Sequence, residues 1–366
     1  MKTFHLSWLA AAAAALLVGC SGAGDGDQAP RASYGKLITF GDSLSDVGTY
    51  QVGIVASLGG GKYIVNGTAE SLNWTERLAS VIGVAPLCAA QTGLNSIAEL
   101  GGPVPEENHD GCTSYAQGGA RVTNPVGPGN INLLLLGDTS GALGQLTKPL
   151  VEQIARHLGT TATGSFNATD LVTVMAGGND LFMNLATFTA MVGAGVPADQ
   201  AAAIALGAMQ TAGTELAGYI KDEIVAKGAT RVVSVNLPDV SATPAFLAET
   251  AETRAFVLGM VAAFNGALAT GLTGTTDNVL QVNAFAASQD QGANPAQYGL
   301  SNVTTPACDL AGALASLPTS LVCTANTLIA GDTDSYAYAD GVHPSPLGYK
   351  LLMQLVAKDM AKAGWL

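Results

Sequence analysis

Acyl transfer to a serine needs a hydroxyl, an imidazole and a carboxylate, and this 366-residue chain offers them at Ser43, His343 and Asp340. The hydroxyl requires a base within hydrogen-bond reach, the base a group to orient it, and the developing oxyanion a set of preorganised donors. Ser43 lies in Phe40-Gly41-Asp42-Ser43-Leu44-Ser45-Asp46, directly after the apolar run Leu37 to Phe40 and before a turn into a helix. That setting holds its hydroxyl at an exposed sheet edge; capping a helix is the ordinary alternative for a serine there. His343 emerges as the base partly by elimination. Once the N-terminal segment is set aside, three histidines remain. His157 stands in a helical pattern beside Glu152, Gln153 and Arg156, which places it on a solvated face, and His109 stands in the polar stretch Glu106 to Asp110. Asp340 precedes His343 by three residues, close enough to fix the imidazole tautomer and to stabilise the imidazolium formed on attack. Asp340-Gly341 also reads as a turn, and the two roles are compatible.

Four short segments carry a wider pattern: Gly41-Asp42-Ser43-Leu44, Tyr115-Ala116-Gln117-Gly118-Gly119-Ala120, Gly177-Gly178-Asn179-Asp180 and Asp340-Gly341-Val342-His343-Pro344. In this order, and with Asn236-Leu237-Pro238-Asp239 beside them, they resemble the GDSL, or SGNH, hydrolase family. The resemblance implies an oxyanion hole made by the backbone N–H groups of Ser43 and Gly119 and the side-chain amide of Asn179. Gly118 is the rival for the second donor, and Ser114 stands where the family often has Asn. It also implies a carboxylic ester as substrate, an acyl lipid first, by similarity to the large secreted lipase and phospholipase branch. Acyl transfer to an acceptor alcohol and polysaccharide O-deacetylation use the same chemistry. A non-catalytic surface lipoprotein that only binds a ligand is a different class, and the complete set of Ser43, Asn179, Asp340 and His343 argues against it.

Other signatures fail on their own residues. Ser45 follows Leu44, so there is no G-x-S-x-G elbow. Gly59-Gly60-Gly61-Lys62 continues into Tyr63 and has Ala56 where a phosphate-binding loop needs glycine. Asp332 and Asp334 suggest a calcium loop, yet Ala337 occupies its glycine position. No cofactor and no metal site is expected.

The elements that must position these residues alternate. Leu37 to Phe40, Leu171 to Ala176, Arg231 to Asn236 and Val279 to Val282 are strand-like, while Thr75 to Ile82, Leu143 to Leu158, Ala198 to Ala226, Thr250 to Ala269 and Leu347 to Ala363 have helical spacing. Alternation predicts a mainly parallel, doubly wound sheet with helices on both faces, a three-layer α/β/α sandwich like that of flavodoxin and of the SGNH hydrolases. Ser43, Asn179 and Pro238, each just past a strand, should then share one rim. The Gly- and Pro-rich stretches Gly101 to Pro105 and Thr123 to Asn130 read as surface loops that could shape a cleft or merely connect elements.

At the N-terminus, Lys2 and the 13-residue apolar run Leu6 to Val18 have the order of a signal peptide, too short to span a bilayer. The run ends in Leu17-Val18-Gly19-Cys20, which resembles a bacterial lipoprotein cleavage box, so residues 1–19 are expected to be removed and Cys20 acylated. Residues 20–33 then form a flexible tether, and 34–366 one folded domain. The chain is expected to be exported and lipid-anchored at the cell envelope. Ser21 after Cys20 favours the outer membrane by resemblance, and secretion in soluble form is the alternative. Losing Lys2 leaves 14 basic against 28 acidic residues, a formal charge of −14, which disfavours nucleic acid and electrostatic adhesion to anionic lipid. Membrane contact would come through Cys20, and a monomer is expected. With Cys20 acylated, Cys88, Cys112, Cys308 and Cys323 are left and allow three pairings. Pairing sequence neighbours would close loops of 24 and 15 residues, each stabilising by roughly 3 kcal/mol. Palmitate labelling of the full-length chain in a bacterial host is expected to mark the protein and to fail in Cys20→Ala.

Overall fold

The computed structural model describes residues 32–311, 317 and 319–366. The expected signal segment, Cys20 and nearly all of the expected tether lie outside these residues. Among the described residues the strands are Lys36–Gly41 (β1), Gln91–Leu94 (β2), Val104–Asn108 (β3), Asp170–Met175 (β4), Arg231–Val235 (β5) and Val279–Val282 (β6). The helices are Gly53–Ser57 (α1), Trp74–Val81 (α2), Leu150–Thr160 (α3), Gly178–Gly193 (α4), Ala198–Gly218 (α5), Pro244–Leu247 (α6), Ala251–Gly271 (α7), Ala284–Ala293 (α8) and Pro346–Lys362 (α9).

The main sheet is parallel with the order β1-β4-β5-β6, and β1 runs in register with β4 from Lys36 against Asp170 to Gly41 against Met175. Its residues alternate between two cores. Ile38, Phe40, Val172, Val174 and Val232 pack with α3, α5 and α7; Leu37, Leu171, Met175, Val233 and Val235 pack with α2 and α9. Period-2 alternation of apolar residues buried on both sides is what a sheet covered by two helical layers demands. The expected three-layer α/β fold is therefore present.

The topology explains why the layers divide as they do. After β1 the chain crosses by α2 to the strip around Ser114, which bridges in parallel to Thr39 on the outer side of β1. There Thr39 N–H donates to Thr113 O (3.0 Å) and Tyr115 N–H to Thr39 O (2.8 Å). The chain then returns through α3 on the other face and continues in the opposite direction, to β4, β5 and β6. Right-handed crossovers running in opposite directions must place their helices on opposite faces. The reversal of direction happens at β1, and Ser43 lies just beyond the carboxyl end of that strand. In open α/β sheets this switch point is where a crevice forms.

Local sequence sets several element ends. Asn73 caps α2 by accepting from Thr75 and Glu76 N–H, and the Glu76 carboxylate returns a bond to Asn73 N–H (2.9 Å). Ser345 caps α9, with Pro346 in its first turn, so His343 and Pro344 are held on the loop immediately before that helix.

Several expectations change. The helix read from Leu143 begins only at Leu150, because Pro149 lacks an N–H and biases Lys148 away from helical geometry. The run read as Ala198 to Ala226 is α-helical to Gly218 and continues in wider turns over Tyr219–Val225. Gly101 to Pro105 leads into β3, which pairs antiparallel with β2. The disulfides join Cys88 to Cys112 and Cys308 to Cys323.

His157 is the clearest correction, since it faces the core and not solvent. It is 6% exposed, its Nδ1 lies 3.2 Å from Tyr115 Oη, its Nε2 has no partner among the described residues, and Phe40 and Phe166 pack on its ring. Burial pushes its pKa down to about 4, from 6.5. Between those values the unfolded chain binds more protons than the folded one, so this site's contribution to stability rises with pH across the window and is lost as pH falls through it. Thermal unfolding of wild type and His157→Phe at pH 7 and pH 4.5 is expected to shift in the variant's favour at the lower pH. A pH-independent difference would contradict the assignment.

Candidate active site

Ser43 and His343 come from opposite ends of the chain and meet beyond β1, where Ser43 Oγ lies 2.8 Å from His343 Nε2. On the other side of the ring, His343 Nδ1 lies 2.7 Å from Asp340 Oδ2. A carboxylate can only accept, so Nδ1 carries the hydrogen and Nε2 presents its lone pair to the serine hydroxyl. The tautomer is thereby fixed in the form needed to remove a proton from Ser43.

Asp340 is 3% exposed, and burial by itself would raise its pKa. The facing His343 imidazole and the backbone N–H groups of His343 (2.7 Å) and Val342 (2.9 Å) outweigh burial and hold the carboxyl well below the usual range. Ser320 N–H also donates to it, across from a different loop. Tyr63 packs on the imidazole, with ring centroids 4.7 Å apart.

The backbone around Ser43 is held by a side chain that the sequence reading had put on a solvated face. Gln153 of α3 is 2% exposed. Its Oε1 accepts from Gly41 N–H (2.9 Å) and its Nε2 donates to Gly41 O (2.8 Å). The amide thus pairs with the last residue of β1 as a neighbouring strand would. Gly41 itself permits the close approach, since a Cβ there would stand 2.2 Å from Met175 O. Asp42, next in line, accepts from Leu44 N–H (3.0 Å), and its burial pushes the carboxyl up to about 7.

The glycine-rich segment is set beside this strand end by two carboxylates. Asp46 Oδ2 accepts from Gly118 N–H (2.9 Å), while its Oδ1 accepts from Gly48 and Thr49 N–H. Asp180 accepts from Arg121 Nε (3.0 Å) and Val122 N–H (2.9 Å). Gly119 between these anchors adopts a left-handed conformation, φ +77°, where a Cβ would stand 2.3 Å from Pro128 O. Gly118, the rival donor, is already engaged with Asp46. By contrast, the N–H groups of Gly119 and Ser43 meet no acceptor among the described residues. Asn179, at the start of α4, donates one amide hydrogen to Ala120 O (2.8 Å), which orients the group and leaves its second hydrogen free.

These groups border a cleft of about 520 Å³ whose lining includes Gly119, Asn179, His343, Tyr63, Val342 and Phe182. The loop read as Thr123 to Asn130 contributes Pro128 and Gly129 to its wall. Pro238 faces a neighbouring apolar cavity together with Leu44. Among the described residues no cluster of three or more His, Cys, Asp or Glu side chains has the geometry to hold a metal ion.

No curated protein sequence matches the chain. Among solved structures it is similar to an extracellular lipase from Streptomyces rimosus, at 13% identity and a TM-score of 0.43, over 89% of this chain and 99% of that one. The family model described as GDSL-like lipase/acylhydrolase matches residues 37–356, a span that starts in β1, ends in α9 and takes in each of the segments bordering the cleft. The chain therefore belongs to the GDSL-like lipase/acylhydrolase family and is a carboxylic ester hydrolase.

Proposed function

We propose that Ser43 is the nucleophile, His343 the general base and Asp340 the group that orients it, in hydrolysis of acyl-lipid or related acyl esters through an acyl-enzyme. The observation that carries the reading is the unbroken line of contacts from Asp340 Oδ2 through the imidazole to Ser43 Oγ, at 2.7 and 2.8 Å. His343 takes the hydroxyl proton as Ser43 Oγ attacks the acyl carbon, then returns it to the departing alkoxide. Water repeats the sequence and releases the acid, restoring the serine.

The unpaired N–H groups of Ser43 and Gly119 and the free amide hydrogen of Asn179 support an oxyanion hole made of those three. Donors not already taken by a protein acceptor are what such a site requires, and they need no reorganisation as charge develops. Residues 34–366 form the catalytic domain in this proposal, with 20–33 as its tether and Cys20 as the lipid anchor of an exported protein. The two disulfides support an oxidising destination.

Ser43→Ala is expected to lower turnover of a chromogenic short-chain ester by at least about 10⁴-fold while leaving the melting temperature near that of wild type. Retained turnover would sink the proposal. Asn179→Ala is expected to lower kcat by about 10²- to 10³-fold. Gln153→Ala touches no reacting atom, yet it frees the end of β1. A fall of about 10- to 100-fold in kcat with KM nearly unchanged is expected there, and an unaltered kcat would show that Gly41 is held without it.

A further inference from the structure

The segment opened by Gly59-Gly60-Gly61-Lys62, which fails as a phosphate-binding loop, runs beside the site and leads to Asn66. Its glycines bring it against the loop that carries Ser320. Gly61 N–H donates to Leu321 O (2.9 Å), and a Cβ on Gly60 would run into that same oxygen. Asn66, 4% exposed, ties the two together. Its Nδ2 lies within 3.1 Å of the carbonyl oxygens of Lys62, Ile64, Ser320 and Cys323, and its Oδ1 accepts from Lys62 N–H (3.0 Å). Inside this scaffold stands Tyr63, whose carbonyl accepts from Tyr349 Oη (3.1 Å).

Tyr63 is 3% exposed and packs on His343, with ring centroids 4.7 Å apart and planes tilted by 36°. Its hydroxyl points at Gly118, where a Cβ would overlap it. That hydroxyl meets no partner among the described residues, and the Gln145 amide stands beside it without the geometry of a hydrogen bond. Tyr63 thus meets the imidazole with its ring and offers neither nitrogen a hydrogen bond.

The imidazole needs such a neighbour at one stage of the reaction. Before attack it is fixed at both nitrogens, by Asp340 and by Ser43. Once Ser43 Oγ has bonded to the acyl carbon, the proton on Nε2 must pass to the leaving oxygen, and only the Nδ1 contact still orients the ring. A single hydrogen bond lets the ring swing, and misplacing a catalytic group by about 1 Å costs on the order of 10²-fold in rate.

We propose that Tyr63 is a positioning residue for His343 and that it acts through its aromatic face, not its hydroxyl, holding the imidazolium on line while the alcohol departs. The assignment rests on Ser43 being the nucleophile and His343 the base. A flat ring against the imidazole blocks the swing without competing for either nitrogen. Asn66 supports the carboxylate side as well, because it bonds the loop whose Ser320 N–H donates to Asp340.

The test compares Tyr63→Phe and Tyr63→Leu in the intact protein, on the ethyl and the p-nitrophenyl ester of one acid. An ethoxide must be protonated as it leaves, whereas nitrophenolate is a stable anion that departs without a proton, and kcat/KM reports the steps up to that departure. Leu keeps apolar volume but presents no flat face, so the ethyl-to-nitrophenyl ratio of kcat/KM is expected to fall by about tenfold or more. Phe keeps the face and drops only an unbonded hydroxyl, so its ratio is expected within about twofold of wild type. Should Tyr63→Leu not fold, Tyr63→Met is read in the same way. An unchanged ratio in the folded variant, including an equal fall on both esters, overturns the proposal. So does a Phe variant whose ratio falls as far as that of Leu, since the hydroxyl would then be the acting group. Turnover surviving in Ser43→Ala removes the nucleophile, and this assignment with it; turnover lost in Ser43→Ala beside an unchanged ratio overturns the role of Tyr63 alone.

Discussion

The rim depends on how the chain leaves β1. A serine just beyond a strand end projects from backbone that is running out of ladder partners, and unpaired backbone at the edge of a core is costly. The Gln153 amide resolves the conflict by pairing with both polar groups of Gly41, where a further strand would have buried the serine. The cost is a polar side chain in the interior at 2% exposure, and it is offset by having every polar atom of that amide bonded, since Nε2 also donates to Lys148 O. Gly41 contributes by having no Cβ to push β1 away from Met175.

Four buried carboxylates surround this strand end, and their partners decide what each can do. Asp340 faces an imidazole and is held ionised. Asp46 and Asp42 face mainly backbone N–H groups, and burial lifts them to about 6 and about 7. Asp180 is paired with Arg121, yet burial still raises it. The arrangement separates duties. One carboxylate titrates far from neutrality beside the histidine, while the others act as acceptors that knit the Ser43 turn, the Gly118–Gly119 segment and the start of α4 into one rigid rim.

Much of this was legible in the sequence because the responsible signals are local. Apolar runs marked the four parallel strands, and apolar residues at helical spacing marked α2 and α9. The meeting of Ser43, Asp340 and His343 was legible for another reason: their types are restricted by the chemistry. Gln153 and His157 were misplaced because polarity was weighed above spacing. Leu150, Gln153, Ile154 and His157 follow the i, i+3, i+4, i+7 pattern of a single helix face, and that face is buried. α4 left no such mark, since the exposed Thr187 and Thr189 break its apolar stripe and its first turn holds Asn179 and Asp180. The preference for Gly119 over Gly118 rests on the family resemblance; that Asp46 takes the Gly118 N–H, a contact between segments 72 residues apart, is not visible in the sequence.

The loop closed by Cys308 and Cys323 carries Ser320, the residue whose N–H supplies Asp340 with a partner from outside its own turn. A bond made by oxidation thus shapes the surroundings of the carboxylate that faces His343, although neither sulfur lines the cleft. With free thiols the loop loses its closure, and one of the N–H groups that bond the carboxylate loses that tether. Competence of the site is in this way tied to where the chain matures: a copy retained in a reducing compartment would hold all of its reacting groups and lack part of the scaffold that tunes them.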